Sequence, residues 1–286
     1  MKIGIESGPF SYIGTPAKQY AYIRGLGYDT VDQDLSDVRQ PCYGSREAMA
    51  RHCEDFREAS EKTGLKIHQI HGPWTTDDTT EESRAVVLEQ MKLGLYGAKC
   101  MGAGYMVIHP QMPYAWGREE DPELAAELTF RLLTNLIPTC EELDVTVCLE
   151  NMPFWWLRLA PMERIVEVVR KVNSPYVQIC LDTGHVNVLK GDLIADTRLC
   201  APWLKTVHVH DNSSRVQEDF HLMPYLGSLD WDAFARALAQ TEYSGPLSLE
   251  TGGPSKNFPL PLRRKVEELN ALTARYLADL VESYRK

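Results

Sequence analysis

Val145-Thr-Val-Cys-Leu-Glu150 and Val177-Gln-Ile-Cys-Leu-Asp182 are apolar, β-branched runs of strand length that each end in a carboxylate. Thr206-Val-His208 and Pro246-Leu-Ser-Leu-Glu250 repeat the pattern, ending in an imidazole and a third carboxylate. Continuous apolar runs of this kind read as parallel strands buried on both faces. A charged group at the carboxyl end of such a strand has no packing reason to be there. In a parallel α/β barrel, however, that rim is where ligands and reactive groups converge. The four runs predict a barrel with a metal site in its mouth.

Outward from these runs, strand-like and helix-period segments alternate along the chain, the pattern of a parallel barrel. Eight strands are expected near residues 2–6, 29–34, 66–71, 105–109, 145–150, 177–182, 204–209 and 246–250. Amphipathic helices are expected over Glu82 to Met101, Glu123 to Leu143 and Met162 to Val172, entered through Thr79, Asp121 and Pro161. A last helix, about Leu262 to Tyr284, should pack across the outside. With 286 residues and 44% hydrophobic content, the expected fold class is α/β, one (β/α)8 TIM barrel domain over residues 1–286. The longest irregular stretches, Pro110 to Pro122 and Asp211 to Leu229, follow strands bearing candidate ligands and are expected as active-site loops.

Composition narrows the function classes. The opening Met-Lys-Ile-Gly-Ile-Glu-Ser reads as a strand, not a leader, and no apolar run is long enough to span a bilayer. Seven scattered cysteines without C-x-x-C spacing suit reduced thiols in a cytoplasmic protein. The net charge of −10 disfavours a nucleic-acid partner.

Glu150, Asp182, His208 and Glu250 form an oxygen-rich donor set suited to one divalent cation: Mn²⁺ first, with Mg²⁺, Co²⁺ or Zn²⁺ as alternatives. Their negative charges need a cation to converge. In Asp182-Thr-Gly-His185 the glycine permits a tight turn that can bring His185 to the same opening, and Asp182 can also cap a helix there. His68 and His71 lie toward the end of strand 3, and His109 ends strand 4. Asp219-Phe-His221 lies in the loop after strand 7, and Arg215 offers a bidentate grip on a substrate oxygen or phosphate. Trp74, Tyr114, Trp116, Phe154, Trp155 and Trp156 crowd the expected mouth. Trp74, Trp116 and Phe154 are expected as a wall against the apolar face of a substrate.

Cys-Leu-Glu-Asn at 148–151, Cys-Leu-Asp-Thr-Gly-His at 180–185, Val-His-Val-His-Asp at 207–211 and Leu-Ser-Leu-Glu-Thr at 247–251 resemble the xylose-isomerase-like barrel superfamily. That group contains the D-tagatose 3-epimerases, hydroxypyruvate isomerases, inosose dehydratases and endonuclease IV. The resemblance implies a metal on Glu150, Asp182, His208 and Glu250, with Glu150 and Glu250 doubling as a proton-transfer pair and His185 touching a substrate oxygen. It implies a sugar or sugar phosphate isomerase or epimerase working by proton abstraction beside a metal-bound carbonyl, through an enediolate. An inosose dehydratase-type lyase acting on a cyclitol begins the same way. His71, His109, Glu150, Asp182, His185, His208, Asp219, His221 and Glu250 also match the nine-residue, three-zinc pattern of endonuclease IV by type and order. Additional Zn²⁺ ions and a phosphodiesterase are therefore implied as alternatives, against which the negative charge and the acidic 214–221 loop weigh. Relatives often pair through their barrel faces, so a homo-oligomer is a further expectation.

Overall fold

The computed structural model describes residues 1–74, 79–114, 117, 121, 123–213 and 215–285. Eight parallel strands close into a barrel in chain order: β1 (Ile3–Glu6), β2 (Thr30–Asp34), β3 (Lys66–His71), β4 (Tyr105–Ile108), β5 (Thr146–Glu150), β6 (Val177–Asp182), β7 (Leu204–Val209) and β8 (Leu247–Leu249). The described helices of the shell and its connections are α1 (Pro16–Gly25), α2 (Arg46–Thr63), α3 (Glu81–Met101), α4 (Leu124–Leu143), α5 (Met162–Val172), α6 (Thr183–Val188), α7 (Leu193–Cys200), α8 (Trp231–Ala239), α9 (Gly252–Ser255) and α10 (Leu260–Tyr284). All eight expected strands are present. One apolar core lies between strands and helices, and Val107, Cys148 and Cys180, with Tyr105 packed against them, form a second cluster. The seven cysteines are free thiols. No described helix is long and apolar enough to cross a membrane.

Two register shifts position the mouth. Between β2 and β3 the pairing steps from Val31↔Ile67 to Asp32↔Gln69, setting Gln69 and His71 beside Asp32 and Asp34. Between β6 and β7 it steps from Ile179↔Leu204 to Cys180↔Thr206, which brings His208 level with Asp182.

The helix α10 ties the last unit to the first. Its small and apolar residues Ala271, Ala274, Leu277, Ala278 and Val281 are buried, allowing close approach. Arg275 pairs with Asp29 at 2.7 Å, and buried Glu267 accepts hydrogen bonds from Tyr12 and Tyr22. The entries to two helices differ in detail from the expectation. The helix α3 begins one residue earlier than expected, so Thr80, not Thr79, makes the capping box with Ser83. Asp121 does not cap α4 directly but accepts the N–H of Glu123, the residue before it.

Candidate metal centre

Strand register alone gathers the first cluster. Asp182 lies beside His208 and His208 beside Ser248, two residues before Glu250. One ligand atom from each of Glu150, Asp182, His208 and Glu250 falls within 4.8 Å of the others. His208 Nδ1 is 2.9 Å from Glu150 Oε1 and 3.0 Å from Glu250 Oε2. Its other nitrogen, Nε2, is 2.9 Å from Asp32 Oδ2, and Gln69 Nε2 donates to the same Asp32 oxygen. An imidazole whose Nε2–H donates to a carboxylate presents the Nδ1 lone pair to a cation.

The electrostatics require a positive charge here. Burial opposes ionisation of Glu150, yet the His208 and His109 imidazoles hold its carboxyl well below the ordinary range. Burial also opposes the charged form of His208, but the surrounding acidic groups raise its pKa well above that of a free histidine. Without a cation, a buried imidazolium must balance the carboxylates. Glu150 Oε2, Glu250 Oε2 and Asp32 Oδ1 are buried without a hydrogen bond of good geometry, the condition a bound cation relieves. The donor set and its unsatisfied oxygens therefore fit a divalent metal.

Two further clusters adjoin it. His71 Nε2 and His109 Nε2 lie 3.2 Å apart, and His109 Nε2 is 3.3 Å from Glu150 Oε2. Asp219 Oδ2 lies 3.1 Å from His185 Nε2 and 3.0 Å from His221 Nε2. The fully buried His210 completes this third group. Asp182 accepts the His185 backbone N–H at 2.8 Å, so the expected N-cap and the ligand position coincide. The loop bearing Asp219 and His221 is pinned at its stem. Buried Asp211 accepts the N–H groups of Gly227, Ser228 and Leu229 and the Trp231 indole N–H. Asn212 accepts from Phe220 N and donates to Asp219 Oδ1.

Members of all three clusters line a cavity of about 390 Å³, with Asp182, His208 and His210 outside its lining, and its described wall carries the carboxylates of Glu6, Asp32, Asp34, Glu150, Asp219 and Glu250 and no Lys or Arg. Trp74, 39% exposed, packs edge-on to His109, and Phe154 stacks on Trp156; Trp74 and Phe154 both line the cavity. Trp116 lies outside the described residues. Arg215 is exposed and is not among the lining residues. His68 packs against Tyr105 and does not reach the cavity. Sequence reasoning missed Glu6, Asp32, Asp34, Gln69 and His210. The rule that found Glu150, a charge at a strand's carboxyl end, applies equally to Glu6 and Asp34. Strand alternation places His210 on the same side as His208. Burial and then repulsion from Glu250 lift Glu6 to about 7.

Known proteins resemble this chain in sequence and fold. An uncharacterized protein of Sinorhizobium fredii, y4fM, is 28% identical over 203 residues, 69% of this chain and 62% of that protein, so the match spans less than two thirds of its length. A D-psicose 3-epimerase of Enterocloster bolteae is 24% identical over 237 residues, 80% of this chain and 74% of the relative. A probable endonuclease 4 of Mycoplasma genitalium is 21% identical over 234 residues, 73% and 75% respectively. Among solved structures, the 3-keto-D-glucoside 4-epimerase YcjR of E. coli superposes with a TM-score of 0.78 at 17% identity, covering 96% of this chain and 99% of the other. A family model described as xylose isomerase-like TIM barrel matches residues 20–275. The chain belongs to the xylose isomerase-like TIM barrel family.

Proposed function

We propose that this protein is a divalent-metal-dependent sugar isomerase or epimerase. The observation that carries the reading is the convergence of Glu150 and Glu250, from two different strand ends, on one nitrogen of His208. A cation on Glu150, Asp182, His208 and Glu250, Mn²⁺ first for so oxygen-rich a set, would act as a Lewis acid that acidifies a C–H bond beside a carbonyl. Glu150 and Glu250 are both held ionised, each below the ordinary carboxylate range despite burial, chiefly by His208. One takes the proton from carbon and the other returns one, at the opposite face for an epimer or the neighbouring carbon for an isomer. His185 lines the same wall, where it would meet a substrate oxygen, while Trp74 and Phe154 would shield the apolar face of a sugar from water. The likeness to sugar epimerases supports the substrate class.

The test is incubation of Mn²⁺-loaded protein with D-fructose, D-psicose and D-tagatose in D₂O, followed by NMR. Wild type should place deuterium beside the carbonyl and form an epimer or isomer. Glu150→Gln and Glu250→Gln should each lower the exchange rate by about 10²–10⁴. Exchange at the wild-type rate in both variants would sink the reading. Loss of a hydroxyl from a keto-cyclitol would redirect it to dehydration. Phosphodiester hydrolysis is the second reading, favoured by the His71–His109 pair beside Glu150; cleavage of an abasic duplex would support it.

A further inference from the structure

The helix α10 has two apolar sides. A helix that packs on a barrel keeps one apolar stripe and turns polar residues to water. The inner stripe of α10 is the buried set Ala271, Ala274, Leu277, Ala278 and Val281. Its outer side should therefore be polar, yet Leu262, Leu269, Leu272 and Tyr276 lie there, between 51% and 68% exposed. Beside them stand Tyr225 and Leu226 of the loop after β7, 48% and 63% exposed. Tyr225 meets Tyr276 at 6.0 Å between ring centroids, and Thr273 Oγ1 lies 3.5 Å from Met223 Sδ, so loop and helix make one surface. Of the 15 large apolar side chains exposed among the described residues, 8 fall in segments 225–226 and 258–276, a concentration and not the scatter of a monomer surface.

The outer residues follow a seam. Leu262, Lys265, Leu269, Leu272, Tyr276 and Asp279 are all exposed and succeed one another in alternating steps of three and four residues. That spacing keeps one line of a helix facing a partner helix. The seam also has an order: Leu269, Leu272 and Tyr276 form an apolar centre, with Lys265 seven residues before Leu272 and Asp279 seven after it. Reversing the chain direction about Leu272 exchanges the positive position with the negative one. Two copies of α10 laid antiparallel thus set apolar centre on apolar centre, and Lys265 of each copy beside Asp279 of the other. Antiparallel helix dipoles attract as well. Within its own chain Lys265 pairs with Glu268 at 2.8 Å, an exposed contact weak enough in water to be exchanged. A face that complements itself on reversal is what a closed two-fold interface requires.

We propose that the outer face of α10, with Tyr225 and Leu226, is the interface of a two-fold symmetric homodimer in which the two α10 helices pair antiparallel about Leu272. Burial of the apolar centre drives association, and the Lys265–Asp279 pairs at its ends fix direction and register. Tyr225 and Leu226 immediately precede Gly227 and Ser228, whose N–H groups the Asp211 carboxylate accepts. The second copy therefore braces, from outside, the loop that bears Asp219 and His221. None of the interface residues lines the cavity, so pairing leaves the mouth open, and the dimer stands or falls independently of the reaction carried out there.

The experiment is sedimentation velocity on the full chain, from about 1 to 100 μM, for wild type, Leu272→Glu, Lys265→Glu, Asp279→Lys and the double variant Lys265→Glu/Asp279→Lys. Wild type should sediment as a species of twice the 32.4 kDa chain. Leu272→Glu sets two like charges together at the axis and should raise the dimer dissociation constant at least about 100-fold. Each single charge reversal should raise it about 10-fold, and the double variant should return it to within about threefold of wild type. All three positions are exposed in the single chain, so every variant should keep the wild-type circular dichroism spectrum. A wild type that is monomeric throughout, a Leu272→Glu variant as dimeric as wild type, or assemblies that grow beyond two chains would each overturn the proposal. So would a double variant no tighter than the single reversals, since apolar contact without antiparallel register gives no reason for rescue.

Discussion

The two ligand clusters on either side of Asp182 are built in opposite ways. The first takes three carboxylates and one imidazole from the ends of strands, and hydrogen-bonded register fixes their spacing. The second takes three imidazoles and one carboxylate from the start of α6, the residue just past β7 and the loop that follows. Its spacing depends on hydrogen bonds that the Asp211 carboxylate accepts and on one that Asn212 donates to Asp219. The contrast teaches that a barrel can gather an oxygen-rich donor cluster on its rigid strands and a nitrogen-rich cluster on a stapled loop.

The largest expected effect breaks the first cluster and spares the second. Glu150→Gln and Glu250→Gln should cost about 10²–10⁴ in solvent exchange, read by NMR. The reverse break is Asp211→Ala, which strands the amides of Gly227, Ser228 and Leu229 and the Trp231 indole. At about 1–3 kcal/mol for each unsatisfied buried group, partly relieved by water, a loss of about 3 kcal/mol is expected in urea unfolding. Mn²⁺ affinity at the strand-end cluster should hold. A smaller effect sharpens the role of the outer carboxylate: Asp32→Asn, which no longer enforces the His208 tautomer, should weaken Mn²⁺ binding by about 10–100-fold in a titration.

The gentlest test is pH. In chelator-treated protein, burial alone would lower His185 and His221, but nearby carboxylates, Asp182 and Asp219 for the former and Glu250 and Asp219 for the latter, outweigh it and lift them to about 10 and about 11. A histidine whose folded pKa is raised stabilises fully below its unfolded value, about 6.5, and that stability is lost as pH rises through the folded value. The melting temperature of the metal-free protein should therefore fall between about pH 6.5 and 11. Zinc binds deprotonated ligands, so metal-loaded protein should lose less over that range. Parallel curves for the two forms would contradict a cation held by these imidazoles.

The barrel was legible because most strands are apolar or β-branched runs and amphipathic helical segments alternate with them. The first cluster was legible for the same reason: Glu150, Asp182, His208 and Glu250 each stand at the end of such a run. Glu6 and Asp34 obey the same rule but close short, mixed strands, Ile-Gly-Ile-Glu and Thr-Val-Asp-Gln-Asp, where a charge attracts less notice. Gln69 lies beside Asp32 only because the β2–β3 pairing shifts by one residue, and sequence carries little signal for such a shift. The second cluster depends on a loop fold set by hydrogen bonds between residues 7 to 18 apart. His210 was hidden further, since its ring lies where a Cβ at position 184 would stand, and only Gly184 leaves that room. Arg215, a charged residue in the right loop, shows the converse: position along the chain did not put it in the cavity wall.

The most direct test of the strand-end metal centre is a Mn²⁺ titration followed by electron paramagnetic resonance, on chelator-treated wild type and Glu250→Gln. One tight Mn²⁺ in wild type, weakened at least about 100-fold in the variant, is the expected result. Equal affinity in the two proteins would show that Glu250 is not a ligand and would contradict the account.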